Sequence, residues 1–202
     1  MIIGLTGGIA TGKSTVSAML RKLGAYIIDY DELAHQVIEP GRTAWNKIVS
    51  QFGPDILNPD QTVDRKKLGQ IVFNNQDKLY WLNQVVHPAV FEADRAITLD
   101  IIRQDPQALI IKDVPLLTET AARELVEKII VVYASLEVQL LRMFDRGFSP
   151  EEAQKRINAQ ASLSEKLKFA DYIIYNDGSV EETERQVQHI YSILQQLAAK
   201  KS

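Results

Sequence analysis

"GLTGGIATGKST", Gly4 to Thr15, begins three residues into the chain and decides how the rest is organised. Gly7-Gly8-Ile9-Ala10-Thr11-Gly12-Lys13-Ser14 fills the spacing G-x-x-x-x-G-K-[ST] completely. The apolar run "MIIGLT" before it reads as a short buried strand, and Lys13 to Lys22 has the composition of a helix. A strand, a glycine-rich turn and a helix are the setting in which this spacing cradles phosphates. The glycines let backbone N–H groups curl around them, and the helix N-terminus adds partial positive charge. Lys13 would bridge β- and γ-phosphate oxygens, and the Ser14 hydroxyl would ligate Mg²⁺. The pattern specifies a nucleoside triphosphate but not a reaction.

Working outward, "AYIIDY" (25–30), "ALIIKDV" (108–114), "KIIVVYA" (128–134) and "DYIIYN" (171–176) are rich in Ile, Val and Tyr without alternation. Strands covered on both faces read this way. Helical stretches separate them, so the expected fold is α/β: a five-stranded parallel sheet with right-handed crossovers. The last helix, about Val180 to Ala199, sets Val187, Ile190, Leu194 and Leu197 on one stripe. Two insertions interrupt the alternation. About eighty residues lie between the second and third strands, far more than a crossover needs. They read as several helices punctuated at "EPGR" and "FGPDILNPDQ". The second insertion, about Asp145 to Ala170, is polar and helical; Ser149-Pro150 starts a helix with a cap and a proline at its first position.

The bulk properties narrow the class. The chain has 202 residues, 46 % of them apolar and 24 % charged, with a net charge of −3 and no cysteine. That size suits one full α/β core. The charge balance argues against a nucleic-acid backbone as main partner. Without cysteine there are no disulfides, thiolate metal sites or thiol nucleophiles. The first apolar run lacks the flanks of a signal peptide, and no later stretch reaches membrane-spanning length. A soluble, cytoplasmic protein is expected, with no membrane partner; the oligomeric state is not legible.

Among users of such a loop, a guanine switch would carry N-K-x-D and D-x-x-G segments. The chain offers "SLEVQ" and "NDGS" instead. A motor ATPase would normally end a strand in Asp-Glu, whereas the third strand here ends in Asp113-Val114-Pro115. A small-molecule kinase needs an acceptor pocket and a cover that excludes water, since otherwise ATP is hydrolysed. Two helical insertions suit those tasks. In "IIDYDELAH", Asp29 and Glu32 have the spacing of a capping box with Asp in place of Ser or Thr. Asp29 then caps a helix, leaving Asp31 in its first turn to orient the acceptor hydroxyl. A loose phosphoryl-transfer transition state asks more for such alignment than for a strong base. Asp113 is a lone strand-end carboxylate, consistent with a place on the Mg²⁺ side.

"LTGGIATGKST", "IDYDELAHQVIEPG", "DRKKLGQIVF", "VVHPAV", "VPLLTE" and "AQASLSEKLKFADYIIYNDGS" together resemble the dephospho-CoA kinase family, in order and spacing, from Ile2 to about Gln188. The resemblance implies transfer of a phosphoryl group from ATP to the ribose 3′-hydroxyl of dephospho-CoA, the last step of coenzyme A synthesis. It implies a nucleotide-binding core of residues 1–31, 105–141 and 171–202, a helical acceptor domain of residues 32–104 and a lid of residues 142–170. It puts ATP on the loop through Thr15 and makes Asp31 the residue nearest the acceptor hydroxyl. Arg65 and His87, followed by Pro88, would line the acceptor pocket. Arg142 and Arg146 would close over adenine and the transferring phosphoryl group, and Asn176 would lie beside the adenine.

Read singly, several of these have plainer explanations: a capped helix start at Asp64-Arg65, a core histidine ahead of a proline-initiated helix at His87, and solvated or ion-paired arginines. His35 and His189 read as surface residues, and Trp45 and Trp81 as packing. Tyr30 stands where the family usually has a small residue, Thr118 where an apolar one is frequent, and Asp113 lies outside the family's motifs. Two rival readings stay open on the residues alone: another small-molecule kinase of the same fold, acting on a nucleoside, nucleotide or sugar-like alcohol, and a regulatory protein that only senses ATP.

Overall fold

The computed structural model describes residues 1–200; Lys201 and Ser202, included in the expected core, lie outside the described residues. Five strands form one sheet in the order β2-β3-β1-β4-β5: β1 (Ile2–Gly7), β2 (Tyr26–Asp29), β3 (Ile110–Asp113), β4 (Lys128–Tyr133) and β5 (Tyr172–Tyr175). β1 runs parallel to β3 on one side and to β4 on the other, and β4 runs parallel to β5. Because β2 and β3 lie on one side of β1 and β4 on the other, a crevice opens at the carboxyl ends of β1 and β3. Ligands bind at such a switch point in open α/β sheets. Leu5 is in register with Asp113, so the end of β3 stands beside the root of the loop that follows β1.

Two compact units divide the chain: residues 1–28 with the chain from Ile101 onward, and residues 29–100. In the first, α1 (Lys13–Lys22) and α9 (Val180–Ala199) supply Val16, Leu20, Val187, Ile190, Tyr191 and Leu194 to a core with Ile3, Leu5, Ile111, Ile130, Val132 and Ile174. These apolar residues recur at helical spacing on α9, which is why it buries that face. Ser179 and Glu182 close a reciprocal capping box at its start. After β4 come α6 (Leu136–Asp145), α7 (Pro150–Asn158) and α8 (Leu163–Leu167). Ser149 caps α7 in a full capping box with Pro150 at the first turn, as its sequence predicts.

The second unit holds α2 (Tyr30–Gln36), α3 (Thr43–Phe52), α4 (Arg65–Phe73) and α5 (Gln76–Gln104), the last running on past residue 100. Its core gathers Ile48, Ile56, Val63, Leu68 and Val72, with Trp45, Phe52 and Trp81 packed around them. Phe52 and Trp81 meet edge to face at 5.5 Å. Pro88 does not start a helix. It sits inside α5, a continuous helix of 29 residues. Proline deprives the carbonyl four residues earlier of its partner, and Gln84, Pro88 and His87 are all exposed, so water can take that carbonyl. His87 is therefore no core histidine. Among the described residues no helix is long and apolar enough to cross a membrane.

Candidate active site

The loop between β1 and α1 is shaped by two left-handed residues, Ala10 at φ 58° and Gly12 at φ 89°. Gly12 is the N-cap of α1, and a Cβ there would lie 2.0 Å from Asn176 Nδ2. Only glycine fits, for both conformation and space. Among the described residues the backbone N–H groups of Lys13 and Ser14 have no protein acceptor, and the first turn of α1 carries no acidic side chain. Ser14 and Thr15 are exposed. An exposed helix N-terminus with free N–H groups and no internal anion is arranged to receive an external one.

Beneath the loop lies a hydrogen-bonded frame. Asn176, 7 % exposed, donates from Nδ2 to Thr11 O at 2.7 Å and accepts from the Thr183 hydroxyl at 2.8 Å. Its backbone N–H donates to Tyr133 O, and its carbonyl accepts from Arg142 Nη2 at 2.8 Å. Arg142 Nη1 donates to Ala10 O at 3.2 Å. Arg142 thus ties α6 to both the loop and the end of β5, and pairs with neither Glu137 nor Asp145. Asn176 is thus a strut under the loop: one amide N–H, the amide oxygen and both backbone groups are engaged within the protein. Arg146, one position past α6, is exposed.

Lys13 is ion-paired with Asp113, whose side chain is only 3 % exposed. Such a pair presets the lysine at the switch-point crevice, and a buried carboxylate requires a partner of this kind. Asp113, which matched no family motif, therefore belongs to the site. The second insertion packs onto the first half of the loop: Ala10 is buried with Met143 and Ala153, with Ile9, Leu140 and Phe148 around them. Gln160 Oε1 accepts the Ile9 N–H at 3.0 Å. Lys166 on α8 is fully buried, and its ammonium donates to Pro115 O at 3.1 Å, a carbonyl that also accepts the Thr6 hydroxyl at 3.1 Å. Pro115 lies two residues beyond Asp113. Neither Gln160 nor Lys166 stands out in a polar helical stretch, and only the packing reveals them.

In the second unit Asp29 caps α2, accepting from the N–H groups of Asp31 at 2.9 Å and Glu32 at 3.2 Å. Glu32 does not complete a reciprocal box; its carboxylate takes the Gln36 amide at 3.1 Å. Asp31 is left exposed, with no side-chain partner among the described residues. Tyr30 points into the unit, 8 % exposed, with its ring edge-to-face on Phe91 at 6.5 Å. Burial first, then the charge of Asp94, pushes its phenol well above the ordinary value. Tyr30 is therefore part of this unit's core. Arg65 opens α4, capped by Asp64, which accepts from Lys66 and Lys67. Arg65 and His87 are both exposed.

For Mg²⁺ the donor set fits a particular kind of site. No group of three or more His, Cys, Asp or Glu side chains able to hold a metal occurs among the described residues. Mg²⁺ at phosphates needs no such cage, because it keeps waters and substrate oxygens and takes few protein ligands. The exposed Ser14 hydroxyl beside the free N–H groups is of that type.

Comparison with known proteins gives this geometry a family. A family model described as dephospho-CoA kinase matches residues 1–182. The chain belongs to the dephospho-CoA kinase family. A dephospho-CoA kinase of Geobacillus kaustophilus is 48 % identical over 188 residues, covering 93 % of each chain. One from Syntrophus aciditrophicus is 47 % identical over 193 residues, covering 95 % of this chain and 82 % of its own. A solved dephospho-CoA kinase from Campylobacter jejuni superposes with a TM-score of 0.72 at 30 % identity, covering all of this chain and 98 % of its own. A Thermus thermophilus structure reaches 0.79 at 32 %, covering 96 % and 97 %. A shikimate kinase from Acinetobacter baumannii, at 18 % identity and 0.52, shares the fold alone. Membership in this family removes the rival in which the loop merely senses ATP.

Proposed function

We propose that this chain transfers the γ-phosphoryl group of ATP to the ribose 3′-hydroxyl of dephospho-CoA, releasing ADP and coenzyme A. The observation that carries the reading is the match of the dephospho-CoA kinase family to residues 1–182, in a chain whose loop presents free N–H groups and a preset lysine. The core would be residues 1–31, 105–141 and 171–202, with an acceptor domain of 32–104 and a lid of 142–170.

In this reading Gly7, Gly8, Ile9, Ala10, Thr11, Gly12, Lys13, Ser14 and Thr15 surround the triphosphate. Lys13 exchanges Asp113 for the β- and γ-phosphate oxygens, where its charge meets negative charge spread over the transferring group. Ser14 is the residue that would hold Mg²⁺, which when bound neutralises phosphate charge. Asp31, freed by Asp29 from capping, accepts a hydrogen bond from the attacking hydroxyl and aligns it. Arg65 and His87 bind the acceptor. Arg142, tied to the loop and to the end of β5 by two of its N–H groups, and Arg146, whose guanidinium is exposed, bring positive charge over the adenine and the transferring phosphoryl group as the lid closes. Gln160 must release the Ile9 N–H, or share it, when the triphosphate arrives.

ADP release in a coupled assay tests the reading. Wells with Mg-ATP would contain dephospho-CoA, AMP, adenosine, shikimate or no acceptor. ADP forming only with dephospho-CoA is the expected result. Turnover with another acceptor and none with dephospho-CoA would keep a kinase of this fold but discard the acceptor.

A further inference from the structure

Phe73, the last residue of α4, is 79 % exposed, more than any other large apolar side chain among the described core and surface residues. Its ring rests over Gly69: a Cβ at that position would sit 3.3 Å from Phe73 Cε2 and 3.5 Å from Cδ2. A glycine inside a helix weakens it, and here its bare backbone gives the aromatic ring a seat. Three basic residues open the same helix, and they differ. Lys67 is committed, donating to Asp55 O at 3.1 Å and lying 3.9 Å from Asp64 Oδ2. Arg65 and Lys66 are exposed, with no side-chain partner among the described residues. Lys66, Gly69 and Phe73 are spaced i, i+3 and i+7, so they share one face of α4 over about 10 Å, with Arg65 at its border.

We propose that this face of α4 is the seat of the acceptor's adenosine diphosphate moiety, with Phe73 stacked on the adenine and Arg65 and Lys66 meeting the diphosphate. The inference rests on the proposed function, since it is dephospho-CoA that carries a flat base and a diphosphate on either side of its reacting ribose. Two free cations match the diphosphate charge. An exposed ring on a flat glycine seat offers one open π-face, which stacks on a base without needing a preformed pocket. Phe73 is thereby a specificity-determining residue: it grips the nucleoside whose ribose is phosphorylated, whereas ATP is held in the other unit.

The experiment measures KM for dephospho-CoA and for ATP in the wild type, Phe73→Ala, Phe73→Leu and Phe73→Trp, with Gly69→Ala as an indirect perturbation of the ring. Loss of one base–aromatic stack should raise KM for dephospho-CoA about tenfold to a hundredfold in Phe73→Ala. Phe73→Leu should behave like Phe73→Ala, Phe73→Trp should stay within about threefold of wild type, and Gly69→Ala should raise the same constant. KM for ATP and the melting temperature of the Phe73 variants should not move, because the side chain is exposed. An unchanged KM in Phe73→Ala overturns the proposal. So does wild-type behaviour of Phe73→Leu, which would mean apolar bulk alone is used. A drop in sedimenting mass for Phe73→Ala that accounts for lost activity overturns it in favour of a contact between copies. A wild-type protein that ignores dephospho-CoA is a different result, and removes the proposed function itself.

Discussion

Replacing Asn176 by Asp separates a strut from a base contact. The two side chains have nearly the same shape, and the Asp Oδ1 still accepts the Thr183 hydroxyl, now 2.8 Å away. The other position changes sign: a donor 2.7 Å from Thr11 O becomes an acceptor facing an acceptor. Leaving that buried carbonyl unsatisfied costs about 1–3 kcal/mol. A buried negative charge beside it raises the total to roughly 2–4 kcal/mol. In a chain of this size each kcal/mol moves the melting temperature about 2–4 °C, so a fall of roughly 5–15 °C is expected. Because Thr11 precedes Gly12 and Lys13, KM for ATP should rise as well, and KM for GTP by a similar factor, since the damage lies under the phosphates. Differential scanning fluorimetry and coupled kinetics with both nucleotides read the two effects. An unchanged melting temperature, with loss confined to ATP relative to GTP, would refute the reasoning and return Asn176 to the adenine.

Lys13→Ala should lower kcat on the order of a thousandfold, about 4 kcal/mol, with the fold intact; a loss under tenfold in steady-state assays would place the chemistry elsewhere. Lys166→Met keeps the aliphatic stem but cuts the tie from α8 to Pro115, so kcat should fall about tenfold with a small change in melting temperature. Wild-type kcat in that variant would make Lys166 mere packing. Tyr30→Phe removes a buried hydroxyl that lies beside Asp94 without a hydrogen bond of normal geometry, so chemical denaturation should find it within about 0.5 kcal/mol of wild type. A loss above about 2 kcal/mol would show that the hydroxyl is engaged.

The sheet and the loop were legible because their signals are local. Five apolar runs without alternation, an eight-residue phosphate-loop spacing and a capped Ser149-Pro150 start each contain within a few residues the reason for their conformation. Asp29 as a helix cap was readable for the same reason. What escaped is long-range. Asn176 meets Thr11 across 165 positions and Asp113 meets Lys13 across 100, and neither partnership leaves a periodic trace. Lys166 lies in a polar, helical segment where a lysine ordinarily faces solvent, and only the placement of α8 on the loop after β3 buries it. The proline at position 88 carries a stop signal that α5 overrides, because the carbonyl it orphans lies on an exposed stretch. The direction of Tyr30, between Asp29 and Asp31, was not legible either, because only the helical turn that follows β2 sends it inward to Phe91.

The central claim is that a phosphoryl group passes from the triphosphate on this loop to a ribose hydroxyl of dephospho-CoA. Phosphorus NMR of the product made from Mg-ATP and dephospho-CoA, with its mass, tests that directly. The account predicts one new phosphomonoester resonance, coupled to the ribose 3′ proton, in a molecule heavier by one phosphoryl group, with the diphosphate unchanged. Inorganic phosphate with unmodified acceptor, or a phosphoryl group on any other oxygen, would contradict it.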